Sequence, residues 1–213
     1  MSKKANEVLI VDHGVGNIGS LKNALAFLGF DPIPIRNKES YRMSKNPIGF
    51  ILPGVGTFDE GMKNLREKSL DYVIEELVNI KVRGLAICLG MQLLCERSEE
   101  SSRNEKGLGY FKASVKLLNN AGATVPSIGW NTTYAKEGAM GRSAELLTGD
   151  FYYLHSYSVH CSNDNDRIAY YGHGDSQITS AIEKDFLLGV QFHPEKSQYQ
   201  GLSLIKNYFG GEK

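Results

Sequence analysis

Short apolar runs alternate with amphipathic segments through the first half of the chain. The run at 8–11 has the unbroken, β-branched character of a strand buried on both faces, and further strands are predicted at 33–36, 49–52 and 85–87. Apolar residues at helical spacing predict helices over 20–28, 60–80 and 89–97. Because strand and helix alternate, this half predicts a parallel sheet with right-handed crossovers.

The second half of the chain has a different pattern, in which Gly, Asn and Asp turns separate short strand-forming stretches. These stretches lie at 111–118, 132–134, 151–160, 167–171, 178–182 and 187–192. They predict antiparallel additions to the parallel sheet, and a closing helix carries Leu202, Leu204, Ile205 and Tyr208. No internal repeat or linker interrupts the sequence, so we expect residues 1–213 to form a single α/β domain.

Composition excludes several classes of partner and compartment. The formal net charge is zero, which gives no general attraction to nucleic acid or to an anionic membrane, and we expect neither as a partner. The polar N-terminus lacks the apolar core of a signal peptide, and no window approaches a membrane span of ~20 residues. The three cysteines show no C-x-x-C spacing, which argues against disulfides and a zinc site. We therefore expect a cytoplasmic protein.

Cys88 lies where an apolar run gives way to an amphipathic stretch, so the chain turns sharply there from strand to helix. Such a turn exposes the sulfur and directs backbone N–H groups and a helix N-terminus towards it, which favours a thiolate. Gly90 and the small residues before Cys88 suit the close approach of strand and helix. The pattern predicts a nucleophile here, whereas Cys95 and Cys161 are expected to be structural.

His193 and Glu195 lie two residues apart in a segment that reads as extended, so their side chains share a face. The carboxylate can accept a hydrogen bond from one imidazole nitrogen and leave the other free for a thiol. The alternative interpretation is a surface turn at Pro194. With Cys88, the pair suggests acyl chemistry.

A glycine-rich turn at 53–56 ends the third predicted strand. Glycines let backbone N–H groups point outward towards a ligand, and an oxyanion hole needs two such donors. One donor would be the Leu89 N–H, and the other would come from the peptide between Gly54 and Val55. An ordinary strand-to-helix turn is the alternative.

Residues 14–19 form a literal G-x-G-x-x-G between a predicted strand and a predicted helix, which is the spacing of a dinucleotide-binding turn. The acidic residue expected ~20 positions later would be Glu39, which lies in a polar stretch and not clearly at a strand end. We interpret the segment as a tight turn, and a nucleotide-binding module remains a competing hypothesis.

The combined motifs resemble the class I, triad-type glutamine amidotransferases. The resemblance rests on Pro-Gly-Val-Gly at 53–56, Cys-Leu-Gly-Met-Gln at 88–92 and Gln-Phe-His-Pro-Glu-Lys-Ser at 191–197. Segments at 11–17, 98–100, 106–109, 125–131 and 155–157 are similar to one subfamily, the glutaminase subunits of imidazole glycerol phosphate synthase from the histidine pathway. The resemblance covers nearly the whole chain. It implies a flavodoxin-like α/β domain that uses neither cofactor nor metal.

The resemblance also implies roles for individual residues. Cys88 would be the nucleophile, His193 the general acid and base, and Glu195 its orienting carboxylate. A glutamine site is implied at Gly56, Gln92, Glu100, Ser156 and Tyr157. An interface with a separate (β/α)8-barrel cyclase subunit is implied at Asn17, Trp130, Asn131, Tyr152 and Lys196. From the sequence itself, Trp130 is either a core residue or an exposed anchor.

The implied reaction is hydrolysis of glutamine to glutamate and ammonia through a cysteine thioester. The ammonia would pass through the barrel subunit to a phosphoribulosyl aminoimidazole-carboxamide substrate, giving imidazole glycerol phosphate and an aminoimidazole carboxamide ribotide. One alternative is the same glutaminase feeding another acceptor, such as a sugar-modifying amidotransferase. Another is an idle regulatory homologue, against which the intact Cys88, His193 and Glu195 argue.

Overall fold

The computed structural model describes residues 6–42, 46–119, 122–139 and 143–211. Its strands are β1 (Glu7–Val11), β2 (Asp31–Ile35), β3 (Gly49–Leu52), β4 (Arg83–Ile87), β5 (Cys95–Ser98), β6 (Phe111–Leu117), β7 (Ser127–Ala135), β8 (Gly149–His155), β9 (Tyr157–Cys161), β10 (Arg167–His173), β11 (Ser176–Lys184) and β12 (Leu187–Val190). Its α-helices are α1 (Ile18–Phe27), α2 (Lys38–Tyr41), α3 (Phe58–Glu67), α4 (Leu70–Asn79), α5 (Leu89–Leu93) and α6 (Gln198–Gly210). Short 3-10 turns lie at Ala144–Leu146 and Pro194–Lys196.

The larger sheet has nine strands in the order β2-β1-β3-β4-β12-β11-β10-β7-β8. The first five are parallel, and the last four continue the sheet in antiparallel pairs. The predicted α/β class, a parallel sheet with antiparallel additions, is therefore confirmed. A second sheet of three strands, in the order β5-β6-β9, was not predicted from the sequence.

Both faces of the parallel strands are covered, which explains their unbroken apolar runs. Along β1, Val8 and Ile10 belong to the core on one face, where α1 and α6 pack. Leu9 and Val11 alternate with them and belong to the core on the other face, beneath α3 and α4. None of the described helices is both long and apolar enough to cross a membrane.

The helix predicted over 60–80 is two helices, α3 and α4. Ser69 separates them in a left-handed conformation with φ 55°. A residue with left-handed φ and ψ cannot continue a right-handed helix, so α3 ends before Ser69 and α4 begins after it. The prediction of one continuous helix was wrong.

Two further elements end earlier than predicted. The helix expected over 89–97 stops at Leu93, and Cys95 begins strand β5, which pairs with β6. The strand expected over 151–160 bends at Ser156, so that β8 pairs with β7 in the larger sheet and β9 pairs with β6 in the smaller one. Pairing with distant strands sets these boundaries.

The carboxyl ends of β1, β3, β4 and β12 meet at one edge, because these strands are parallel and lie side by side. The loops that leave this edge carry Asn17, Gly54, Cys88 and His193. Four segments that are far apart in the sequence therefore come together there.

Candidate active site

Cys88 occupies a sharp elbow between β4 and α5. Its φ of 53° and ψ of −109° are unusual for a residue with a side chain, and neighbouring contacts hold it there. The Cys88 N–H donates to the Val190 carbonyl at 2.8 Å, which ties the elbow to β12. A side chain at Gly90 would overlap the Leu52 carbonyl, so a glycine is required for β3 and α5 to touch.

The sulfur of Cys88 is almost buried and makes hydrogen-bonding contacts with a backbone carbonyl and a side-chain amide. Its Sγ lies 3.7 Å from the Leu154 carbonyl and 3.6 Å from Nε2 of Gln191. The carbonyl can only accept a hydrogen bond, and the amide nitrogen can only donate one. The site can therefore partner both the thiol and the thiolate.

His193 and Glu195 form a buried pair on the turn after β12. Nδ1 of His193 donates to the Glu195 carboxylate at 3.0 Å, and both side chains are at most 3% exposed. Backbone bonds hold the turn, since the His193 N–H donates to the Tyr152 carbonyl at 2.8 Å and Ser197 Oγ donates to the His193 carbonyl at 2.6 Å.

The other imidazole nitrogen of His193, Nε2, is buried and makes no hydrogen bond to any described residue. Burial lowers the pKa of His193, but the neighbouring Cys88 sulfur and the Glu195 carboxylate outweigh burial and raise the pKa above its ordinary value. The arrangement therefore provides a base that can hold a proton taken from the thiol.

The predicted oxyanion donors lie next to the elbow. Gly54 packs so closely that a β-carbon there would come within 2.9 Å of the Leu89 β-carbon. Leu89 opens α5, so the helix makes no use of its N–H. The buried His13 holds the loop at 53–56 in place, because its Nε2 donates to the Pro53 carbonyl at 2.8 Å.

A cavity of about 290 Å³ opens at the sulfur. Eight of the predicted residues line it together, namely Val55, Gly56, Cys88, Leu89, Gln92, Glu100, Ser156 and Tyr157. Three further residues, Pro126, Leu154 and His155, complete the lining. Gly54, His193 and Glu195 are not among the lining residues. The structure thus brings the predicted nucleophile, the residues of both predicted oxyanion donors and the predicted glutamine site to one pocket.

Glu100 provides negative charge in this pocket. Its carboxylate accepts from the Phe58 N–H at 2.8 Å, and burial raises the pKa of the carboxyl. The backbone bond favours the ionised form. A ligand with a cationic amine would be attracted to this wall of the pocket.

His155 holds the bend that presents Ser156 and Tyr157 to the pocket. The Tyr157 carbonyl can only accept, so His155 donates to it from Nδ1 at 2.8 Å. Nε2 then accepts from the Tyr171 hydroxyl at 2.9 Å. Burial lowers the pKa of His155 to about 4, so the ring is neutral at neutral pH.

Three of the predicted interface residues, Trp130, Tyr152 and Lys196, lie together on the surface. Trp130 on β7 is 48% exposed and packs edge to face on Tyr152 of β8, with ring centroids 6.2 Å apart. Lys196 places its Nζ 5.8 Å from the centre of the Tyr152 ring. Asn131 lies on the opposite face of β7, because side chains alternate along a strand. Asn17 caps α1, which contacts the turn at Pro194–Lys196.

Within the described residues, no group of three or more His, Cys, Asp or Glu side chains is placed to hold a metal ion. The turn at 14–19 connects β1 to α1, and its Asn17 side chain accepts from the Ser20 N–H at 3.3 Å.

The sequence of nearly the whole chain matches one protein family. A family profile described as Glutamine amidotransferase class-I matches residues 9–210. The chain belongs to the class I glutamine amidotransferases. Its motifs had implied that family, and the assignment is confirmed.

Full-length relatives of this glutamine amidotransferase include two subunits named for imidazole glycerol phosphate synthase. HisH 2 of Methanococcus maripaludis is 40% identical over 205 residues, covering 94% of this chain and 98% of the relative. HisH of Aquifex aeolicus is 38% identical and covers 94% of each.

Solved structures share the fold at lower identity. A structure described as glutamine amidotransferase superposes with a TM-score of 0.69 at 20% identity, covering 96% of this chain and 99% of the other. PurLQS from Thermotoga maritima gives 0.70 at 18% identity, covering 97% of both. At these identities the likeness establishes the fold alone.

Sequence patterns assigned no role to three residues that line the pocket or contact the sulfur of this glutamine amidotransferase, namely Pro126, Leu154 and Gln191, and they marked His155 only as a polar residue in an aromatic strand. Gln191 had a usable signal, because a polar residue directly after a buried strand is unusual and it is fully buried. Leu154 contacts the sulfur through its backbone carbonyl, and every residue type has a backbone carbonyl, so the sequence gives no signal for this contact.

Proposed function

We propose that this chain is the glutaminase subunit of imidazole glycerol phosphate synthase and that it supplies ammonia for histidine biosynthesis. The observation that carries the proposal is the placement of the Cys88 sulfur, which lies on an elbow, beside a buried His193–Glu195 pair and at the floor of a pocket. The names of the full-length relatives support the pathway.

The reaction begins with Cys88. Its thiol gives a proton to Nε2 of His193, and Sγ attacks the side-chain amide carbon of glutamine. The negative charge that forms on the amide oxygen is held by the Leu89 N–H and by the peptide between Gly54 and Val55. The Glu195 carboxylate stabilises the imidazolium that forms.

Collapse of the tetrahedral intermediate breaks the carbon–nitrogen bond. His193 returns its proton to the departing nitrogen, which leaves as ammonia, and a thioester with Cys88 remains. A water molecule then gives a proton to His193 and attacks the thioester. Glutamate leaves, and the proton on His193 restores the Cys88 thiol.

The pocket selects glutamine by its amino-acid end. Glu100 attracts the α-ammonium group, since both are charged and partly shielded from water. Gly56, Gln92, Ser156 and Tyr157 line the rest of the site. The distance from Cys88 to this end of the pocket sets the length of side chain that reaches the sulfur.

The ammonia acceptor belongs to a partner, which we propose is a (β/α)8-barrel cyclase subunit. Trp130, Tyr152 and Lys196 form a half-exposed aromatic and cationic surface close to Leu154, which lines the pocket. A barrel docked there, with Asn17 and Asn131 at its contact, would receive ammonia next to where it forms. The products are imidazole glycerol phosphate and an aminoimidazole carboxamide ribotide. A thiol nucleophile must stay reduced, so we place the enzyme in the cytoplasm.

The test is release of glutamate from glutamine by the complex with the barrel subunit. Cys88→Ala removes the nucleophile and should abolish release while the complex still forms. Cys161→Ala, which changes a cysteine outside the pocket, is the matched control and should retain wild-type turnover. Turnover by Cys88→Ala would exclude the proposed thioester.

A further inference from the structure

Two buried glutamines, Gln92 and Gln191, connect the wall of the pocket to the sulfur. Nε2 of Gln92 lies 3.1 Å from the Tyr157 carbonyl and 3.3 Å from Oε1 of Gln191. Nε2 of Gln191 lies 3.6 Å from Sγ of Cys88. Gln92 is 5% exposed and Gln191 is fully buried, so water does not compete for these bonds.

The Tyr157 carbonyl fixes the direction of each hydrogen bond between Tyr157, the two glutamines and the sulfur. A carbonyl oxygen only accepts, so Gln92 must turn its NH₂ group towards Tyr157. The same NH₂ group then faces Gln191, which must present its oxygen to it. Gln191 is left with its own NH₂ group directed at the sulfur, and it can act there only as a donor.

The sulfur therefore has a different partner in each protonation state. As a thiol, Cys88 can donate its proton to the Leu154 carbonyl at 3.7 Å. As a thiolate, it has no proton to donate and accepts from Gln191. Hydrogen bonds to a charged atom are stronger than those to a neutral one, so Gln191 favours the thiolate.

We propose that Gln191 is a catalytic residue that stabilises the Cys88 thiolate by direct donation, and that Gln92 is a positioning residue acting through it. This assignment deepens the proposed glutaminase reaction and rests on it for its purpose. It gives Gln92 a role beyond lining the glutamine pocket. His193 removes the proton, and Gln191 holds the sulfur that remains.

The experiment measures alkylation of Cys88 by iodoacetamide across a pH series, using the purified chain and peptide mass spectrometry to identify the modified cysteine. Gln191→Met removes the donor at similar volume. We expect the rate near neutral pH to fall about tenfold to hundredfold, and the half-maximal pH to rise. The groups that also face the sulfur or its pocket, His193, Glu195, His155 and Glu100, are unchanged.

Two further variants separate this role from packing. Gln191→Glu is isosteric and exchanges the donor for an oxygen, so alkylation should slow at least as much. Gln177→Met makes the same glutamine-to-methionine change on β11, outside the active-site pocket. It should leave both the alkylation rate and its pH profile unchanged. Thermal unfolding of each variant reports its stability.

Wild-type alkylation rates and pH profiles in both Gln191 variants would overturn the proposal, whatever happens to their stability. Iodoacetamide reacts without glutamine, so this result is independent of the proposed reaction. A wild-type complex that releases no glutamate would refute the proposed function, and the alkylation result would still decide the role of Gln191.

Discussion

Two histidines near the Cys88 sulfur differ in pKa because their partners differ. His155 bonds to a carbonyl and to a hydroxyl, neither of which carries charge, so burial prevails and its pKa falls to about 4. His193 faces a carboxylate and a thiol, and its pKa rises. Only His193 is therefore suited to carry a proton through the reaction, while His155 holds the backbone.

The neutral His155 makes a testable contribution to acid sensitivity. Between pH 6.5 and about 4 the unfolded chain binds a proton at this residue and the folded chain does not, so stability falls as the pH falls through this window. The loss attributable to His155 is roughly 2–3 kcal/mol. Urea unfolding near neutral pH and at about pH 4.5 should therefore show a smaller loss for His155→Gln than for wild type.

His160→Gln is the matched control for this measurement. His160 lies in the neighbouring strand β9 at an exposed position, and burial lowers its pKa too, but it cannot act there as strongly as at His155, which is 6% exposed. Its replacement should therefore leave most of the acid-induced loss in place. Equal losses in wild type and His155→Gln would show that His155 is not neutral in the folded protein.

At the scale of elements, the elbow depends on contact between β3 and α5. A methyl group at Gly90 would overlap the Leu52 carbonyl, which cannot move without breaking the sheet. Gly90→Ala should lower the free energy of unfolding by about 2 kcal/mol or more and displace the Cys88 sulfur.

A glycine-to-alanine substitution in α1 is expected to raise the free energy of unfolding instead of lowering it. Gly19 has open space where a β-carbon would lie, and alanine favours helix over glycine by up to about 1 kcal/mol. Gly19→Ala should therefore stabilise the protein in urea unfolding. If both variants behaved alike, close packing at the elbow would not explain the need for Gly90.

Local sequence patterns predicted the parallel strands well. The predicted element boundaries failed where pairing with distant strands sets them. The predicted bounds of β3 are those observed, because apolar residues fill it and Pro53 follows it. Nothing local marks the bend at Ser156, which exists because β7 pairs with one side of it and β6 with the other. The end of α5 has the same cause, since β5 pairs with β6.

The sequence points to a common site where a motif carries chemistry in its side chains. The segments at 88–92 and 191–197 contain the sulfur, the imidazole and the carboxylate, and the structure brings them together. The sequence could not reveal the Leu154 carbonyl or the orientation of the Gln191 amide, because a backbone atom and a hydrogen-bond direction are set only by tertiary contacts.

For the whole molecule, we propose that residues 1–213 form one domain. The core that packs on α1 and α6 and the core that packs on α3 and α4 share the same central strands. Neither helical layer could keep its apolar face buried without that sheet. The pocket and the surface at Trp130 also lie on this shared framework, so a barrel bound at Trp130 can influence the pocket.

Trp130 offers the direct test of the proposed docking surface. Its ring is large, 48% exposed and supported by Tyr152, which are the properties of an interface anchor. Trp130→Ala should raise the dissociation constant for the barrel subunit by about tenfold to hundredfold in calorimetry. Tyr72→Ala removes a 61% exposed aromatic from α4 and should leave affinity unchanged. Unchanged affinity for Trp130→Ala would place the barrel elsewhere.

We propose, above all, that this chain is a glutaminase that serves the histidine pathway. The most direct measurement is glutamate release from glutamine by the purified chain, alone and with a histidine-pathway barrel subunit carrying its ligand. We expect strong stimulation by the loaded barrel and its loss in Cys88→Ala. Glutamate release that the barrel leaves unchanged would contradict the pathway, and no release in either condition would contradict the glutaminase itself.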